Sequence, residues 1–386
     1  MATAWPILLM VRELGIGGCE RDLTKIAIGL DRERFEPHVA TFHPEGLRTS
    51  ELRDAGIPIL HLPVTSFQSP SAIAGARKMG QYMRQHGIRL VHSYDAPMTI
   101  FGVPAARFYR APVVISSQLS YRALAKPSSR RLLRLTDHLV DRVVVNCEAM
   151  RDHMVNDEHL PRAKTYLCYN GVDTQIFYPG RTPVPEPLAG APLVIGSVCG
   201  LRAEKRLDLL VDAFARVHGL LPGTKLAIVG SGVLLGPLEE QAKRLGVRDS
   251  CVFQPAISDV APWMRAMDIF VLPSESEAFS NALLEAMACG CCPIGSRVGG
   301  TPELIANDER GLIFDSGDSA HLAEKLAAVI VNPELRRKYA AAAAKFAHDR
   351  LSIEIAVERM SELYAASIER RPDRTASGVV SPAPVA

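Results

Sequence analysis

The sequence lacks long apolar runs, a strong excess of either charge and an amino-terminal leader. No apolar stretch reaches the roughly eighteen residues of a membrane span, and 44 basic against 42 acidic residues leave a formal net charge of +2. The first residues, MATAWPILLMVRE, carry no basic leader, and their apolar run is too short for a signal peptide. These absences give no general case for nucleic-acid binding and predict a cytoplasmic protein.

The eight cysteines follow no pattern that is typical of a metal site or a disulfide framework. Cys289, Cys291 and Cys292 are close together in the sequence, but their spacing fits no zinc site. Disulfide frameworks are typical of small secreted domains, whereas this chain has 386 residues and no secretory signal. We therefore expect small, buried, unpaired cysteines.

Length and pattern predict two α/β domains. A chain of 386 residues suggests about two domains, and short apolar runs alternate with amphipathic stretches, which predicts parallel sheets with helices on both faces. Five prolines in residues 179–192 break helix and sheet and mark a linker. The predicted organisation is a first domain over residues 1–178, a second domain over 193–350, a last helix over 353–370 and a disordered tail over 371–386.

Two acidic residues stand out in the most informative stretch, residues 268–304. The apolar run 269–272 predicts a buried strand, and residues 282–288 predict the helix that follows it. Glu277 falls in the connecting loop, and Glu285 falls eight positions later on the helix. Both carboxylates can then face one cleft at the carboxyl end of the strand, where open α/β sheets bind ligands. The alternative is an ordinary surface helix with two solvated glutamates.

The beginning of that helix predicts an anion site. Backbone N–H groups near Ser280 and Asn281 precede the first helical hydrogen bonds, and together with the helix dipole they favour an anion such as a diphosphate. Glu285 on the same helix can accept hydrogen bonds from a diol such as a ribose.

A glycine-rich loop lies between the first predicted strand and an amphipathic helix. Gly17 and Gly18 allow the backbone to approach a ligand closely, although a tight turn needs glycine for a similar reason. The loop is not the dinucleotide-binding fingerprint, because Glu20 follows Gly15-Ile16-Gly17 where that pattern requires a third glycine.

These motifs together resemble the family 4 type of GT-B glycosyltransferases. The resemblance rests on Glu277 and Glu285 followed by AMACG and GGTPE, on NGVDxxxF beginning at Asn170, and on GGxE beginning at Gly17. It implies an α/β fold of two Rossmann-like domains whose parallel sheets face a central cleft, with the last helix packing back on the first domain. It also implies that a sugar moves with retention from a nucleotide-sugar donor, UDP- or GDP-linked, to a sugar or lipid-linked acceptor or a polysaccharide intermediate. No metal or other cofactor is expected, and the sequence contains no Asp-x-Asp, the metal-binding signature of the other large glycosyltransferase fold.

The resemblance also implies roles for the donor-side residues. Relatives read GRLxxEKG after the first strand of the second domain; Lys205 matches the lysine, and Arg202 is the remaining candidate because Gly200 stands at the arginine position. Lys205 and Arg202 are expected to stabilise the leaving diphosphate. Glu277 is expected to fix the sugar hydroxyls, and Glu285 to hold the ribose. The other expected donor-binding residues are Gly17, Gly18, Ile257 (beside the base), Phe279, Ser280 and Asn281.

The acceptor side departs from the family pattern. Family members often carry a histidine shortly after the strand that begins at Val113, but Gln118 stands at that position here. An amide can hold a sugar hydroxyl but cannot shuttle a proton as imidazole does. His92 and Asp95, at the end of the preceding strand, are further acceptor candidates. The alternative for His92 is a structural histidine at a strand end.

A basic amphipathic stretch over residues 105–142 suggests a membrane surface. Leu132, Leu135 and Leu139 recur at helical spacing beside several arginines, which is typical of helices that dock on anionic lipid. The hypothesis is peripheral contact with the inner face of a membrane, where a lipid-linked acceptor would lie. The alternative is a soluble helix whose leucines point into the core.

Two other functions compete with transfer. A sugar-nucleotide epimerase on the same fold would turn over nucleotide sugars without an acceptor. A non-catalytic relative would bind a nucleotide without transferring anything, and Gln118 and Gly200 favour it because both depart from the family pattern.

Overall fold

The computed structural model of the chain describes residues 4–180 and 184–371 and folds them into two lobes, each built on one parallel sheet. The strands of the first lobe are β1 (Trp5–Met10), β2 (Phe35–Thr41), β3 (Ile59–His61), β4 (Leu90–Ser93), β5 (Val113–Gln118), β6 (Arg142–Val145) and β7 (Thr165–Leu167). Its helices are α1 (Gly18–Gly29), α2 (Leu47–Asp54), α3 (Pro70–Gln85), α4 (Ala96–Phe108), α5 (Pro127–Leu139) and α6 (Glu148–Asn156). The sheet order is β3-β2-β1-β4-β5-β6-β7.

The second lobe repeats this architecture with fewer strands. They are β8 (Val194–Val198), β9 (Lys225–Val229), β10 (Cys251–Gln254), β11 (Ile269–Leu272), β12 (Cys292–Ser296) and β13 (Leu312–Phe314), in the order β10-β9-β8-β11-β12-β13. The helices are α7 (Leu207–Val217), α8 (Leu235–Arg244), α9 (Ala261–Arg265), α10 (Asn281–Ala288), α11 (Thr301–Ile305), α12 (Ser319–Ile330) and α13 (Pro333–Arg350). A last helix, α14 (Ile353–Glu369), returns to the first lobe.

Burial on both faces of each sheet explains the continuous apolar runs in the central strands. All four residues of β11 are buried, and this strand pairs in parallel with both β8 and β12. In the first lobe, β1 holds the same central position between β2 and β4. The prediction of two Rossmann-like domains with parallel sheets is confirmed.

Helix α14 completes the core of the first lobe. The side chain of Tyr364 is fully buried and belongs to the same apolar cluster as Leu9 and Leu23. The chain reaches this helix beside Val172, whose N–H donates to the carbonyl of Leu351 and whose carbonyl accepts from Ile353 N, both at 2.8 Å. This crossing is a second covalent connection between the lobes.

Some predicted features lie outside the described residues. These are residues 181–183 of the predicted linker and all of the predicted tail beyond Arg371. The eight cysteines are free thiols, and six of them are buried. None of the described helices is both long enough and apolar enough to span a bilayer.

Candidate active site

A cavity of about 680 Å³ lies between the two lobes, beyond the carboxyl ends of the strands. The first lobe contributes the glycine loop, the first turn of α1 and parts of the segments that follow β2, β5, β6 and β7. The second lobe contributes the segments that follow β8, β9, β10 and β11. Nine predicted site residues line it: Gly18, Arg202, Lys205, Ile257, Glu277, Phe279, Ser280, Asn281 and Glu285.

Lys205 and Glu277 form an ion pair in the wall of this cavity. The Lys205 Nζ donates to Glu277 Oε2 at 2.6 Å, and both side chains are largely buried. The pairing follows from a backbone contact between their loops, in which Glu275 N donates to the carbonyl of Glu204 at 2.8 Å. A cation and an anion from two different loops are thereby held side by side, where a charged ligand would separate them.

The GGTPE motif fixes the backbone that carries Glu277. Gly299 has a φ of +49°, and a Cβ there would lie 1.7 Å from the carbonyl oxygen of Glu277, so only glycine fits. The next residue, Gly300, donates its N–H to the carbonyl of Ala278 at 2.7 Å. The two glycines therefore hold the loop of the first acidic residue by direct backbone contact.

Side chains at the beginning of α10 are committed to structural contacts. The Ser280 hydroxyl caps the helix by accepting from Leu283 N at 3.2 Å. The buried ring of Phe279 packs against Tyr169 of the first lobe, with 5.8 Å between ring centroids. The predicted anion contacts at these positions would therefore come from backbone N–H groups of the first turn, since the first helical bond joins Leu284 N to the carbonyl of Ser280.

Asn281 bridges the lobes through its side chain. Its Oδ1 accepts from Asn170 Nδ2 at 2.9 Å, and its Nδ2 donates to Asp22 Oδ1 at 3.1 Å. Burial raises the pKa of Asp22 to about 6, against the opposing effect of Lys25 and Arg21. The amide of Asn281 thus joins the NGVD motif to the first turn of α1.

Glu285 is a buried carboxylate that points across the cleft. Its side chain is 3% exposed, and Oε1 lies 2.8 Å from Nη1 of Arg21 on α1. Burial raises the pKa of Glu285, and the nearby cations Arg21, Lys25 and Arg48 oppose this shift. The second acidic residue of the motif therefore faces a cationic surface of the first lobe.

Arg202 and Ile257 lie at the edge of the cavity. Arg202 is 65% exposed, and its Nε is 2.9 Å from Glu204 Oε1. Ile257 is half-buried, and the neighbouring Ala256 N donates to the Ser231 hydroxyl at 2.9 Å. Arg202 is mostly exposed, whereas Lys205 is largely buried in the cavity wall, so Lys205 is the better placed of the two predicted cations.

Four predicted residues of the first lobe do not line the cavity: Gly17, His92, Asp95 and Gln118. Asp95 caps α4 by accepting from Met98 N at 2.8 Å. Gly17 caps α1 instead, and a Cβ there would lie 2.1 Å from Glu20 Oε2. Gln118 is buried and internally satisfied, because its Oε1 accepts from Arg122 Nε at 2.8 Å and its Nε2 donates to the carbonyl of Ser120 at 2.5 Å. Leu119, the next residue, faces the cavity in its place.

His92, predicted as an acceptor contact, lies away from the cavity. The side chain is fully buried, with Nδ1 2.7 Å from the Tyr364 hydroxyl and Nε2 2.8 Å from the Ser117 hydroxyl. Burial lowers the pKa of His92 to about 3, so the ring is neutral at physiological pH. Helix α14 covers this strand end, which makes His92 a structural residue.

Several residues that line the cavity were not predicted from the sequence. Arg21 and Asp22 directly follow the GGxE motif, and Asn170 begins NGVDxxxF, so all three were within reach of a motif-based argument. Arg48 lies at the beginning of α2, and its Nη1 donates to both carboxylate oxygens of Glu51, at 2.6 and 2.8 Å. No local pattern marks Arg48, because only the packing of α2 beside the glycine loop brings it to the cleft.

Glu303, the acid of GGTPE, holds the lobes together on the side of α6. Its Oε1 and Oε2 accept from the backbone N–H groups of Ala149 and Glu148, at 2.8 and 2.9 Å. The Tyr169 hydroxyl donates to Oε2 at 3.0 Å. A carboxylate of the second lobe therefore caps a helix of the first lobe, where the helix dipole favours negative charge.

Within residues 4–180 and 184–371, no group of three or more His, Cys, Asp or Glu side chains is arranged to hold a metal ion. The expectation that the reaction needs no metal stays a prediction.

Two family profiles match consecutive parts of the chain. The profile described as Glycosyltransferase Family 4 matches residues 16–176, and the profile described as Glycosyl transferases group 1 matches residues 183–346. The chain is a family 4-type glycosyltransferase with the GT-B fold. The transferase interpretation is therefore retained over the epimerase and the non-catalytic relative.

Relatives of known function and solved structures of other proteins that resemble this chain agree with the assignment. N-acetyl-alpha-D-glucosaminyl L-malate synthase of Bacillus anthracis is 26% identical over 306 residues, 76% of this chain and 79% of that protein. D-inositol 3-phosphate glycosyltransferase of Segniliparus rotundus is 30% identical over 237 residues, which is 59% of this chain but only 53% of that protein. This chain thus matches about half the length of the second relative. HepE of Anabaena, solved in complex with UDP and glucose, superposes with a TM-score of 0.82 at 20% identity, covering 94% of this chain and 100% of that chain. At this identity the match shows the fold.

Proposed function

We propose that this glycosyltransferase moves a sugar, with retention of configuration, from a UDP- or GDP-sugar to an acceptor that enters from the first lobe. The observation that supports the donor site is the grouping of Lys205, Glu277 and Glu285 on one cavity wall, with Lys205 Nζ 2.6 Å from Glu277 Oε2. A nucleoside diphosphate sugar offers a matching set of groups: a diphosphate for the cation, and sugar and ribose hydroxyls for the carboxylates.

In the proposed mechanism, the barrier is the breaking of the sugar–phosphate bond while positive charge grows on the sugar ring. Lys205 exchanges its contact with Glu277 for the diphosphate and stabilises the negative charge that develops there. Glu277 then accepts hydrogen bonds from the sugar hydroxyls, and Glu285 accepts from the ribose diol. Backbone N–H groups in the first turn of α10 meet the same diphosphate.

A donor screen tests this proposal directly. Thermal-shift and calorimetric titrations would compare UDP, GDP, UDP-glucose, UDP-N-acetylglucosamine and GDP-mannose, with UDP first because HepE was solved with UDP. We expect one nucleotide series to bind, and we expect Glu285→Ala to weaken its binding by about tenfold. Absence of binding by every nucleotide, or an unchanged donor affinity in Glu285→Ala, would contradict the proposed donor site.

The acceptor is proposed as a polar or anionic group, either free or linked to a lipid or a polysaccharide intermediate. The first lobe lines the cleft with the cation Arg48, and two relatives carry names that include L-malate and D-inositol 3-phosphate. Transfer assays with the bound donor should therefore include these two compounds beside lipid-linked sugars. Hydrolysis of the donor without transfer to any of these acceptors would contradict this part of the proposal.

Peripheral contact with an anionic membrane is also proposed, for a protein that resides in the cytoplasm. On α5, Leu135 is 63% exposed, and Leu132 and Leu139 are exposed beside it. Phe108, at the end of the adjoining helix α4, is 78% exposed. Arg131 on α5 is exposed and forms no ion pair within the described residues, so it is available to lipid phosphates.

Vesicle flotation tests whether α5 binds an anionic membrane or is an ordinary soluble helix. We expect salt-sensitive binding to vesicles that contain anionic lipid, lost in Leu135→Glu, and no binding to neutral vesicles. Leu220→Glu, at an exposed leucine of the second lobe, is the matched control and should bind like the parent. Equal binding by Leu135→Glu and Leu220→Glu would remove the membrane surface from the proposal without affecting the donor site.

A further inference from the structure

The contact between Arg21 and Glu285 joins the two lobes inside the proposed donor site. Arg21 lies in the first turns of α1, immediately after the GGxE motif, and Glu285 lies on α10. The Arg21 Nη1 is 2.8 Å from Glu285 Oε1, and the side chains are 23% and 3% exposed. A guanidinium from one lobe thus meets the carboxylate of the other lobe that is proposed to hold the ribose.

The geometry of this pair leaves capacity for a ligand. Glu285 Oε1 and Arg21 Nε are both buried, and neither has a directed hydrogen bond to any of the described residues. A carboxylate has about four acceptor positions and a guanidinium five donors, so one ion-pair contact at Oε1 occupies only part of either group. A diol that approaches the other oxygen of Glu285 could be bound without displacing Arg21.

Charge also favours a functional role for the pair. Desolvation penalises the ionised form of a buried carboxylate, and Arg21 is the nearest cation that offsets this penalty. A protonated Glu285 would lose part of its capacity to accept hydrogen bonds from two ribose hydroxyls. Arg21 therefore favours the ionised form of Glu285, which the proposed donor contact requires.

We propose that Arg21 is a positioning residue for the donor: it orients the Glu285 carboxylate across the cleft and keeps one oxygen directed at the ribose. The inference rests on the proposed function, because it takes the role of Glu285 from there. It adds that the donor site is completed by the first lobe, so that donor affinity depends on the approach of the two lobes.

A purely structural connection between the lobes makes different predictions. Other contacts already join them, including the hydrogen bonds of Asn281 to Asn170 and Asp22 and those of Glu303 to the beginning of α6. Loss of one connection among several should change stability slightly and should not depend on which ligand is bound. Loss of a positioning residue should change donor affinity, and only while Glu285 is present.

The test combines Arg21→Ala, Arg21→Lys, Glu285→Ala and the Arg21→Ala/Glu285→Ala double variant, assayed with the nucleotide sugar that binds in the donor screen. We expect Arg21→Ala to raise the donor KM about tenfold with kcat within about threefold of the parent, as for the loss of uniform binding. Arg21→Lys should recover part of the affinity because it retains the charge, although not the fork geometry. In the Glu285→Ala background, Arg21→Ala should have no further effect.

Arg53→Ala, which removes an exposed cation of the first lobe away from the cavity, is the matched control and should leave the donor KM unchanged. Thermal melting of every variant checks that it is folded, and Arg21→Lys provides a second measurement if Arg21→Ala folds poorly. An unchanged donor KM in Arg21→Ala, or an equal increase in KM with and without Glu285, would overturn the inference alone. An unchanged donor KM in Glu285→Ala would overturn the proposed function and this inference with it.

Discussion

The two lobes share one architecture but present different chemistry to the cleft. The second lobe brings two acidic side chains, Glu277 and Glu285, and a lysine that is paired with the first of them. The first lobe brings a glycine loop and two arginines, Arg21 and Arg48. The second lobe therefore carries the proposed donor contacts, and the first lobe supplies complementary positive charge across the cleft.

The largest effect on activity is expected for a substitution in the second lobe, at Lys205. Lys205→Ala should lower kcat by about 100-fold or more, because a preorganised cation beside the leaving group is typically worth that much. Arg202→Ala should have a much smaller effect, since Arg202 is exposed and paired with Glu204. Steady-state kinetics of both variants with one donor and acceptor check this. Equal losses of kcat in the two variants would contradict the assignment of Lys205, rather than Arg202, as the main catalytic cation.

A second prediction concerns the attachment of the lobes to each other. Glu303→Ala should destabilise the protein by about 2 kcal/mol, because two N–H groups at the beginning of α6 and the Tyr169 hydroxyl lose their acceptor. Urea denaturation measures the loss, and Glu303→Gln, which keeps one acceptor oxygen, should be intermediate. If Glu303→Ala were as stable as the parent, the contact would be incidental to the packing of the lobes.

A third prediction uses the pKa of Asp22, which burial raises to about 6 from a usual value near 3.8. The folded protein then holds a proton that the unfolded chain releases, so this group costs stability as the pH rises from about 4 to 6. Asp22→Asn removes that cost and keeps an acceptor for Asn281. We expect the variant to gain about 2 kcal/mol over the parent by pH 7, after allowance for partial exposure.

Denaturation of both proteins at several pH values between 4 and 7 tests this expectation. The difference in the free energy of unfolding should be small near pH 4 and should level off above pH 6. A difference that does not change with pH would show that Asp22 is ionised at the same pH in the folded and unfolded chains.

The smallest expected effect on activity concerns His92. His92→Asn should leave the acceptor KM within about twofold of the parent while it lowers stability by about 1 kcal/mol, because buried hydrogen bonds to Tyr364 and Ser117 are lost. Between pH 5 and 8, the pH dependence of kcat should be the same in the parent and the variant, because burial lowers the pKa of His92 to about 3. A large increase in acceptor KM in a fully folded variant would show that His92 contributes to the acceptor site.

The lobes also differ in how much of each could be predicted from sequence. The loop of Glu277, helix α10 and the GGTPE glycines are within 30 residues of one another, so a local pattern describes their geometry. The bounds of β11 and α14 agree with the apolar patterns that predict them. In the first lobe, Pro104 lies inside α4, where proline is unfavourable for a helix, so the local pattern is weaker there.

Residues whose surroundings come from distant parts of the chain were the least predictable. His92 looked available because it ends a strand, but Tyr364 of α14, 272 positions later, covers it. Gln118 stands where the family pattern indicates a cleft residue, yet Arg122 and the Ser120 carbonyl occupy its amide. No local sequence pattern identifies Arg48 as a site residue, although it lines the cavity.

The sequence by itself determined the fold class, the family and the local geometry of the acidic motif, because strand and helix periodicity and short glycine turns are encoded over a few neighbouring residues. Only the tertiary structure decided which side chains of the first lobe reach the cleft, and that Glu285 meets Arg21 there. The physical reason is that burial and ion pairing depend on the packing of segments that are far apart in the chain, and no local pattern records which distant residue will cover a given side chain.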